Sequence, residues 1–220
     1  MPHHLEELKL IDCKINASLV CQLMNYLLEK SQLKSLSLVN VQHSPESFEL
    51  VVKYLQESPH LKDLDLSWSI VMPSVWYSLM EVIGANRQLS TLNLSYNQLL
   101  EDQSQGLTAA ERAYGGENQE LSYHNHDIME NLKQFIKYST CLLHLDLQQT
   151  GLIYPAIQSI GHMLTRAQSL RCIHLCGNEG VTESNIEWML KRIKGRRARI
   201  PNEILPPGKV LGQIKVDDTE

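Results

Sequence analysis

The hydrophobic positions of this chain repeat in one short pattern. Six segments carry Leu-x-x-Leu-x-Leu, with one isoleucine substitution: LEELKL at 5–10, LKSLSL at 33–38, LKDLDL at 61–66, LSTLNL at 89–94, LLHLDL at 142–147 and LRCIHL at 170–175. Their starts are 28 residues apart, except for one interval of 53 residues, which is 28 plus 25. The alternation within each segment predicts a β-strand, and the constant spacing predicts an internal repeat with one insertion of 25 residues.

A second set of apolar residues predicts a helix in every repeat. Eighteen positions after each start, allowing for the insertion, stand Leu23, Val51, Leu79, Leu132, Ile160 and Trp188. Four positions further stand Leu27, Leu55, Ile83, Ile136, Leu164 and the one polar member, Arg192. Apolar residues four apart share one helix face. Each repeat is therefore predicted to be a strand, a turn and a helix, which must stack on its neighbours to cover its apolar side.

Stacked strands lie about 4.8 Å apart, whereas packed helices need roughly 8–10 Å. We therefore expect an α/β solenoid that curves, with parallel strands on the concave face and helices on the convex face.

Two of the repeats carry a longer motif. LSTLNLSYNQL reaches Asn97 and LRCIHLCGNEGV reaches Asn178, both in the form Leu-x-x-Leu-x-Leu-x-x-Asn. This motif resembles that of leucine-rich-repeat proteins, and the 28-residue period with a full helix is similar to the ribonuclease-inhibitor-like subclass. That subclass includes tropomodulin-like, GTPase-activator-like and axonemal repeat proteins. The resemblance covers about residues 5–195 and implies a curved right-handed βα superhelix that binds other proteins.

The asparagine position departs from the motif in four repeats, where it holds Cys13, Val41, Ser69 and Thr150. Valine cannot form a side-chain hydrogen bond. The turn at Val41 is therefore expected to be looser, or to be satisfied by neighbouring residues.

The domain boundaries follow from the repeats. We expect a leucine-rich-repeat domain of six repeats over 1–196, interrupted by a flexible polar loop at about 101–125, and an extended C-terminal tail or cap over 197–220. The first motif begins at Leu5, so the edge of the first strand is expected to be open unless the native chain is longer or another protein covers it.

Charge and cysteine usage narrow the class. The chain has 20 basic and 25 acidic residues and a formal charge of −5, which makes nucleic acid an unlikely partner. No apolar run approaches the roughly 20 residues that span a bilayer, and the N-terminus does not look like a signal peptide. The five cysteines form no disulfide framework and are expected to be buried, reduced thiols in a cytoplasmic protein. They are Cys13, Cys21, Cys141, Cys172 and Cys176.

One group of side chains invites a metal hypothesis. Cys172, His174 and Cys176 alternate along one predicted strand, with His144 on the strand beside it. The spacing differs from the Cys-x-x-Cys of common zinc sites, so a partly covered concave surface is the favoured interpretation and no metal or cofactor is predicted. Nucleophile and phosphate-loop motifs are missing, and Asp65 and Asp146 are interpreted as part of a solvated surface. We therefore predict that the protein is not an enzyme.

Two sets of residues are the candidate partner contacts. The first set consists of polar residues on the concave face: Lys9, Asp63, Asp65, Asn93, Asp146 and His174. The second set is the basic run near the C-terminus: Lys191, Arg192, Lys194, Arg196, Arg197 and Arg199. The basic run is a solvated helix end, a site for an acidic protein surface such as tubulin or another cytoskeletal face, or, as a third alternative, a nucleic-acid contact or nuclear-import signal.

Four aromatic residues lie near the third and fourth repeats, Trp68, Trp76, Tyr77 and Tyr96. Core packing is the favoured interpretation for them, and an exposed pair would indicate the rim of a contact surface.

The function predicted from these observations is a non-catalytic protein–protein interaction scaffold. Its expected setting is a multi-subunit cytoplasmic or cytoskeletal assembly, with a cilium or axoneme as one example. The alternative is a regulator of a small GTPase, built on the same kind of repeat.

Overall fold

The computed structural model describes residues 5–30, 32–69, 73–100 and 119–194, together with strand residues 213–215. Seven strands are present in this part of the chain: β1 (Glu7–Ile11), β2 (Ser35–Val39), β3 (Asp63–Asp65), β4 (Thr91–Asn93), β5 (His144–Asp146), β6 (Cys172–His174) and β7 (Gln213–Lys215). Six helices alternate with them: α1 (Ala17–Lys30), α2 (Pro45–Glu57), α3 (Pro73–Ala85), α4 (Gln119–Tyr138), α5 (Tyr154–Leu164) and α6 (Glu183–Lys194).

The strands form one sheet in sequence order, from β1 to β7. Strands β1 to β6 are parallel, and each pairs with the next so that equivalent repeat positions lie side by side, as Leu36 does with Leu64 and Leu64 with Leu92. The predicted leucine-rich-repeat solenoid, with parallel strands on one face and helices on the other, is thereby confirmed. Strand β7 of the tail pairs antiparallel with β6 and so covers that edge of the sheet.

The strand leucines form a continuous apolar seam. The two inward-facing apolar residues of repeats 2 to 6, from Leu36 and Leu38 to Ile173 and Leu175, are all at most 1% exposed. Each buried side chain of this size contributes roughly 1.5–3 kcal/mol. Leu8 and Leu10 of the first repeat are half-buried, because within the described ranges β1 has a strand neighbour only on the β2 side.

The helices contribute the second half of the core. Of the predicted helix positions, Val51, Leu79, Leu132 and Ile160 are at most 1% exposed. The members that are less covered belong to the terminal repeats, where Leu23 and Trp188 are half-buried and Arg192 is exposed. The predicted helix ladder is therefore confirmed, and its loss of burial at both ends follows from having one neighbouring repeat instead of two.

Asparagine side chains close two of the turns that follow the strands. Asn178 Nδ2 donates to the Leu147 and Leu175 carbonyls, at 2.7 and 2.9 Å, and its Oδ1 accepts from the Thr150 amide at 2.9 Å. Asn97 bonds in the same way to Leu66, Leu94 and the amide of Ser69. Each of these buried asparagines thus ties its own turn to the turn of the preceding repeat.

The turn at Val41 obtains its hydrogen bond from the next repeat. The Ser69 hydroxyl donates to the carbonyl of Leu38 at 3.3 Å, and the amide of Asn40 donates to Ser67 O at 3.1 Å. Of the two expectations for this turn, the structure shows the second, in which neighbouring residues satisfy the hydrogen bonds of its backbone. Val41 itself is 2% exposed and joins the apolar core.

The insertion differs from its prediction at one end. Residues 119–125, which the sequence analysis assigned to the inserted loop, are the first residues of α4. Glutamine, glutamate and leucine in QELSYHN favour helix, and no glycine or proline interrupts them, so the helix extends toward the insertion. Residues 101–118 of the predicted loop lie outside the described residues.

The prediction of buried cysteines is wrong for most of them. Cys141 is exposed, because it follows the end of α4 in a turn between repeats, while Cys13, Cys21 and Cys172 are half-buried and Cys176 is buried. All five are free thiols. In the described ranges, no helix is both long and apolar enough to cross a membrane.

The half-buried side chain of His43 places both of its ring nitrogens out of contact with solvent, beside the apolar core of the second repeat. His43 contacts the Phe48 ring edge-on, with ring centroids 5.5 Å apart, and Phe48 contacts Trp76 in the same manner. Neither nitrogen of His43 has a hydrogen-bond partner among the described residues. Burial lowers the pKa of His43 to about 4, so the folded protein holds this ring neutral.

Replacement of Asn97 by alanine should destabilise the protein by about 2–4 kcal/mol, because it leaves the buried Leu66 and Leu94 carbonyls and the Ser69 amide without a partner. Urea unfolding followed by circular dichroism measures the change. Gln22→Ala, which removes an exposed amide from α1, is the control and should cost less than about 0.5 kcal/mol. Equal midpoints for the two variants would contradict the role of the asparagine.

The His43→Phe variant should lose less stability on acidification than the wild type. The folded-state pKa of His43, about 4, lies below the unfolded value of 6.5, so protons bind the unfolded chain first and stability falls as the pH drops below 6.5. Between pH 7 and pH 5 this group accounts for about 2 kcal/mol. Urea titrations at both pH values measure the free energy of unfolding, and its decrease on acidification should be smaller by that amount in His43→Phe. His60→Gln, at an exposed position, is the control and should behave as the wild type.

Candidate functional site

Each of the parallel strands β1 to β6 presents at least two side chains on the concave face. At the second of these positions, Lys9, Ser37, Asp65, Asn93, Asp146 and His174 follow one another from repeat to repeat. Strand alternation aims these side chains away from the helices. Five of these residues, all except Ser37, were predicted for the concave face. The sixth predicted residue, Asp63, lies on the same face, so the structure places all six together.

Three of these residues are engaged by their own turns. Asp65 Oδ1 accepts from the amide and hydroxyl of Ser67, at 2.9 and 2.7 Å, and Asn93 accepts from Ser95 in the same way. Asp146 accepts from the amide and the side chain of Gln148, at 3.0 and 2.9 Å. These side chains are half-buried and oriented, so a partner meets a fixed row of polar groups and not a flexible acidic stripe.

The remaining members on this side of the sheet also have local partners. Lys9 forms a salt bridge of 2.5 Å with Glu7, and this contact raises the pKa of Lys9. Asp63 accepts from the Ser90 hydroxyl at 3.1 Å. The Lys9–Glu7 pair is exposed, and such an ion pair stabilises a fold little, whereas Asp63 and Ser90 are half-buried.

The last two strands bring together a cluster of nitrogen and sulfur donors. The rings of His144 and His174 stack with centroids 4.7 Å apart and an angle of 19° between their planes. Cys172 Sγ lies 3.2 Å from His174 Nε2. Burial lowers the pKa of His174, and the neighbouring Asp146 carboxylate opposes that shift. Cys176, which the sequence analysis grouped with these residues, is buried beyond the strand end, and burial raises its pKa.

A second surface follows the turns at the ends of the strands. One residue in each repeat adopts a left-handed backbone conformation there, and we call this series the turn edge: Asp12, Asn40, Trp68, Tyr96, Gln149 and Gly177. Its members contact their neighbours from repeat to repeat, as Asn40 Nδ2 does in donating to Asp12 at 2.8 Å. Glycine, asparagine and aspartate tolerate this conformation, whereas bulky aromatic residues seldom adopt it.

Trp68 and Tyr96 are the unusual members of the turn edge. Their rings stack with centroids 4.3 Å apart and planes 11° apart, and they are 48% and 41% exposed. The core interpretation is therefore wrong for both, because the left-handed turn directs these side chains outward. It is also wrong for Tyr77, which is 38% exposed on α3, whereas Trp76 is fully buried.

An open groove runs beside the turn edge in the first three repeats. Its lining includes Lys14, Asn16, Gln42, His43 and Trp68. The groove has mixed walls, with the apolar side chains of Ile15 and Val41 among polar ones, and the exposed indole at one end. Sequence reasoning missed it, although Trp68 and Tyr96 stand 28 residues apart at the same repeat position and so carried the signal for a stacked pair.

The described part of the basic run has local contacts. Lys191 Nζ lies 3.5 Å from Glu187 Oε2, and the Arg192 guanidinium lies over the Trp188 ring, 4.6 Å from its centroid. Lys194 ends α6, and only its backbone is described. Arg196, Arg197 and Arg199 lie outside the described residues. The predicted basic surface is therefore represented in the structure by Lys191 and Arg192, both exposed.

Comparison with known proteins places this geometry among leucine-rich-repeat-like domains. No protein-family model matches the chain. No curated protein matches it either. Among solved structures, leiomodin-1 actin-binding site 2 matches with 13% identity and a TM-score of 0.52, over 89% of this chain and 90% of that one. The tropomodulin C-terminal domain of Caenorhabditis elegans matches with 14% identity and a TM-score of 0.53, over 80% of this chain and 91% of that one. At these identities the likeness shows the fold.

The two tryptophans should respond to alanine substitution in opposite ways. Trp68→Ala should cost about 0.5–1.5 kcal/mol, the typical value of an aromatic pair, because alanine keeps the β-carbon and hence the same backbone strain. Trp76→Ala should cost about 3–5 kcal/mol, because it empties a fully buried site beside Phe48. Urea unfolding measures both. A cost for Trp68→Ala as large as that for Trp76→Ala would show that the turn edge is part of the core.

Proposed function

We propose that this protein is a non-catalytic scaffold that binds a cytoskeletal protein through the turn edge and the adjoining concave face. Trp68 and Tyr96 are the anchors of the proposed contact. Lys9, Asp63, Asp65, Asn93, Asp146 and His174 supply its polar part. Lys191, Arg192, Lys194, Arg196, Arg197 and Arg199 form a second contact with an acidic protein surface.

The observation that carries the proposal is the exposed aromatic stack. Large exposed aromatic surface is unfavourable in water, and tryptophan and tyrosine are the residues most enriched among binding hot spots. Here both rings stand on strained left-handed turns, at φ +58° and +59°, where smaller polar residues serve the other repeats. Bulky rings at such positions cost backbone strain and gain no burial in the core. Their presence there favours a role in binding over a role in stability.

The concave face supports the same proposal, because its ordered polar groups could select one partner over others. Its carboxylate and amide groups are held in place by serine and glutamine residues two positions further on. Oriented polar groups beside an aromatic anchor give a partner a defined register at little entropic cost.

The structural neighbours guide the choice of partner. The leiomodin-1 structure is that of an actin-binding site, and it aligns with nine-tenths of this chain. Actin is therefore the first partner to test, and tubulin is the second, as another cytoskeletal protein whose acidic surface would suit the basic run. Membership of a larger assembly, including an axonemal one, and the alternative of a small-GTPase regulator are untested predictions.

Purified protein should co-sediment with filamentous actin or microtubules, or bind monomeric actin in an anisotropy titration. The Trp68→Ala/Tyr96→Ala variant should lower the affinity at least 10-fold, as expected for hot-spot residues worth about 1.4 kcal/mol or more. Lys191→Glu/Arg192→Glu should weaken binding mainly at low salt, because an exposed charged contact is screened by ions.

Tyr77→Ala is the matched control, since it removes an aromatic ring of similar exposure from the helix side of the molecule. It should leave the affinity within about twofold of the wild type. The proposal fails if the protein binds none of filamentous actin, monomeric actin and microtubules, or if Tyr77→Ala weakens binding as much as the loss of the aromatic stack.

A further inference from the structure

The cluster at the end of the concave face has the composition of a metal site. Strands β5 and β6 place His144 directly beside Cys172, and Asp146 directly beside His174, in their pairing register. All four side chains therefore project from the same face of the sheet, at two neighbouring outward positions on each of two adjacent strands. This group unites two imidazoles, one thiol and one carboxylate.

The donor atoms are close to the separations that a zinc ion requires. One donor atom each from His144, Cys172 and His174 can be chosen so that all three lie within 4.8 Å of one another. With Zn–N near 2.0–2.1 Å and Zn–S near 2.3 Å, tetrahedral ligands lie about 3.3–3.6 Å apart. The 3.2 Å contact between Cys172 Sγ and His174 Nε2 already has this length. Binding requires a contraction of about 1 Å and a change of imidazole rotamer, because each ring must leave the stacked arrangement to point a nitrogen lone pair at the ion.

We propose that His144, Cys172 and His174 bind a zinc ion on the concave face. Two imidazole nitrogens and one thiolate suit a borderline-soft dication better than calcium or magnesium, which prefer oxygen. On binding, the Cys172 thiol releases its proton to solvent and the sulfur forms the Zn–S bond. A water molecule completes the tetrahedron, since the Asp146 carboxylate is already held by Gln148 and lies beside the site as a neighbouring negative charge.

The site is open and can exchange its ion. The two histidines and Asp146 line a groove on the concave face together with Asp63, Asp65 and Asn93. Acidic groups along this groove favour the approach of a cation. The fourth coordination position faces the surface where the proposed partner would bind, although zinc binding itself does not depend on the proposed function.

Cobalt(II) is the probe that distinguishes this site from a simple Cys–His hydrogen bond. The full chain, without a histidine tag and kept reduced with a thiol-free reductant, is titrated with cobalt and followed by absorption spectroscopy. One equivalent should give the visible bands of tetrahedral cobalt and a thiolate-to-cobalt band in the near ultraviolet. Zinc should then displace the cobalt and abolish both features.

Variants assign the ligands. Cys172→Ser should eliminate the thiolate-to-cobalt band, and His144→Gln and His174→Gln should each weaken cobalt binding at least about 10-fold. Cys141→Ser and Cys176→Ser are the matched cysteine controls, and they should leave both the band and the affinity unchanged. Circular dichroism of each variant verifies that the fold is retained.

The zinc proposal is overturned if the wild type gives no tetrahedral spectrum, or if the thiolate band persists in Cys172→Ser. It is also overturned if Cys141→Ser or Cys176→Ser removes the band. Binding of actin or tubulin by the metal-free protein would leave this result unaffected, so the two proposals fail or succeed separately.

Discussion

The structure depends on one constraint, which is that six parallel strands pair in register at a spacing of one repeat. Because Leu36 lies beside Leu64, and Leu64 beside Leu92, every repeat position forms a column that crosses the sheet. Inward columns of leucine fuse into one core, and outward columns become rows of neighbouring polar groups. A single substitution therefore affects its equivalents in two adjacent repeats as well as its own.

The same constraint explains how the turns are satisfied. Asn97 and Asn178 reach both their own turn and the preceding one, since equivalent turns are only one strand spacing apart. Where the asparagine is replaced by Val41, Ser69 of the following repeat donates to the buried Leu38 carbonyl instead. The repeat tolerates departures from its motif because a side chain of the neighbouring repeat can form the hydrogen bond that the missing asparagine would have formed.

Function in such a molecule arises where two adjacent repeats carry compatible residues in one outward column. Trp68 and Tyr96 meet in this way at the turn edge, and His144 and His174 meet in this way on the concave face. Neither pair contributes to the leucine core. In our proposals, the first pair is the apolar anchor of a protein contact, and the second pair, with Cys172, supplies the donors of a zinc site. Both surfaces lie on the strand side, away from the helices that complete the fold.

The sequence by itself determined the solenoid, its strands and the burial of its leucine and helix columns. The reason is that a spacing of 28 residues can be read from the chain without knowing how the side chains pack. It also predicted the concave position of Asp65, Asn93 and Asp146. Only the tertiary structure decided that Trp68 and Tyr96 are exposed, since their outward direction follows from a left-handed turn that no hydrophobicity pattern encodes. It likewise decided that Cys172 and His174 join His144 while Cys176 is withdrawn, because side-chain distances of a few ångströms depend on the pairing of strands and on rotamers.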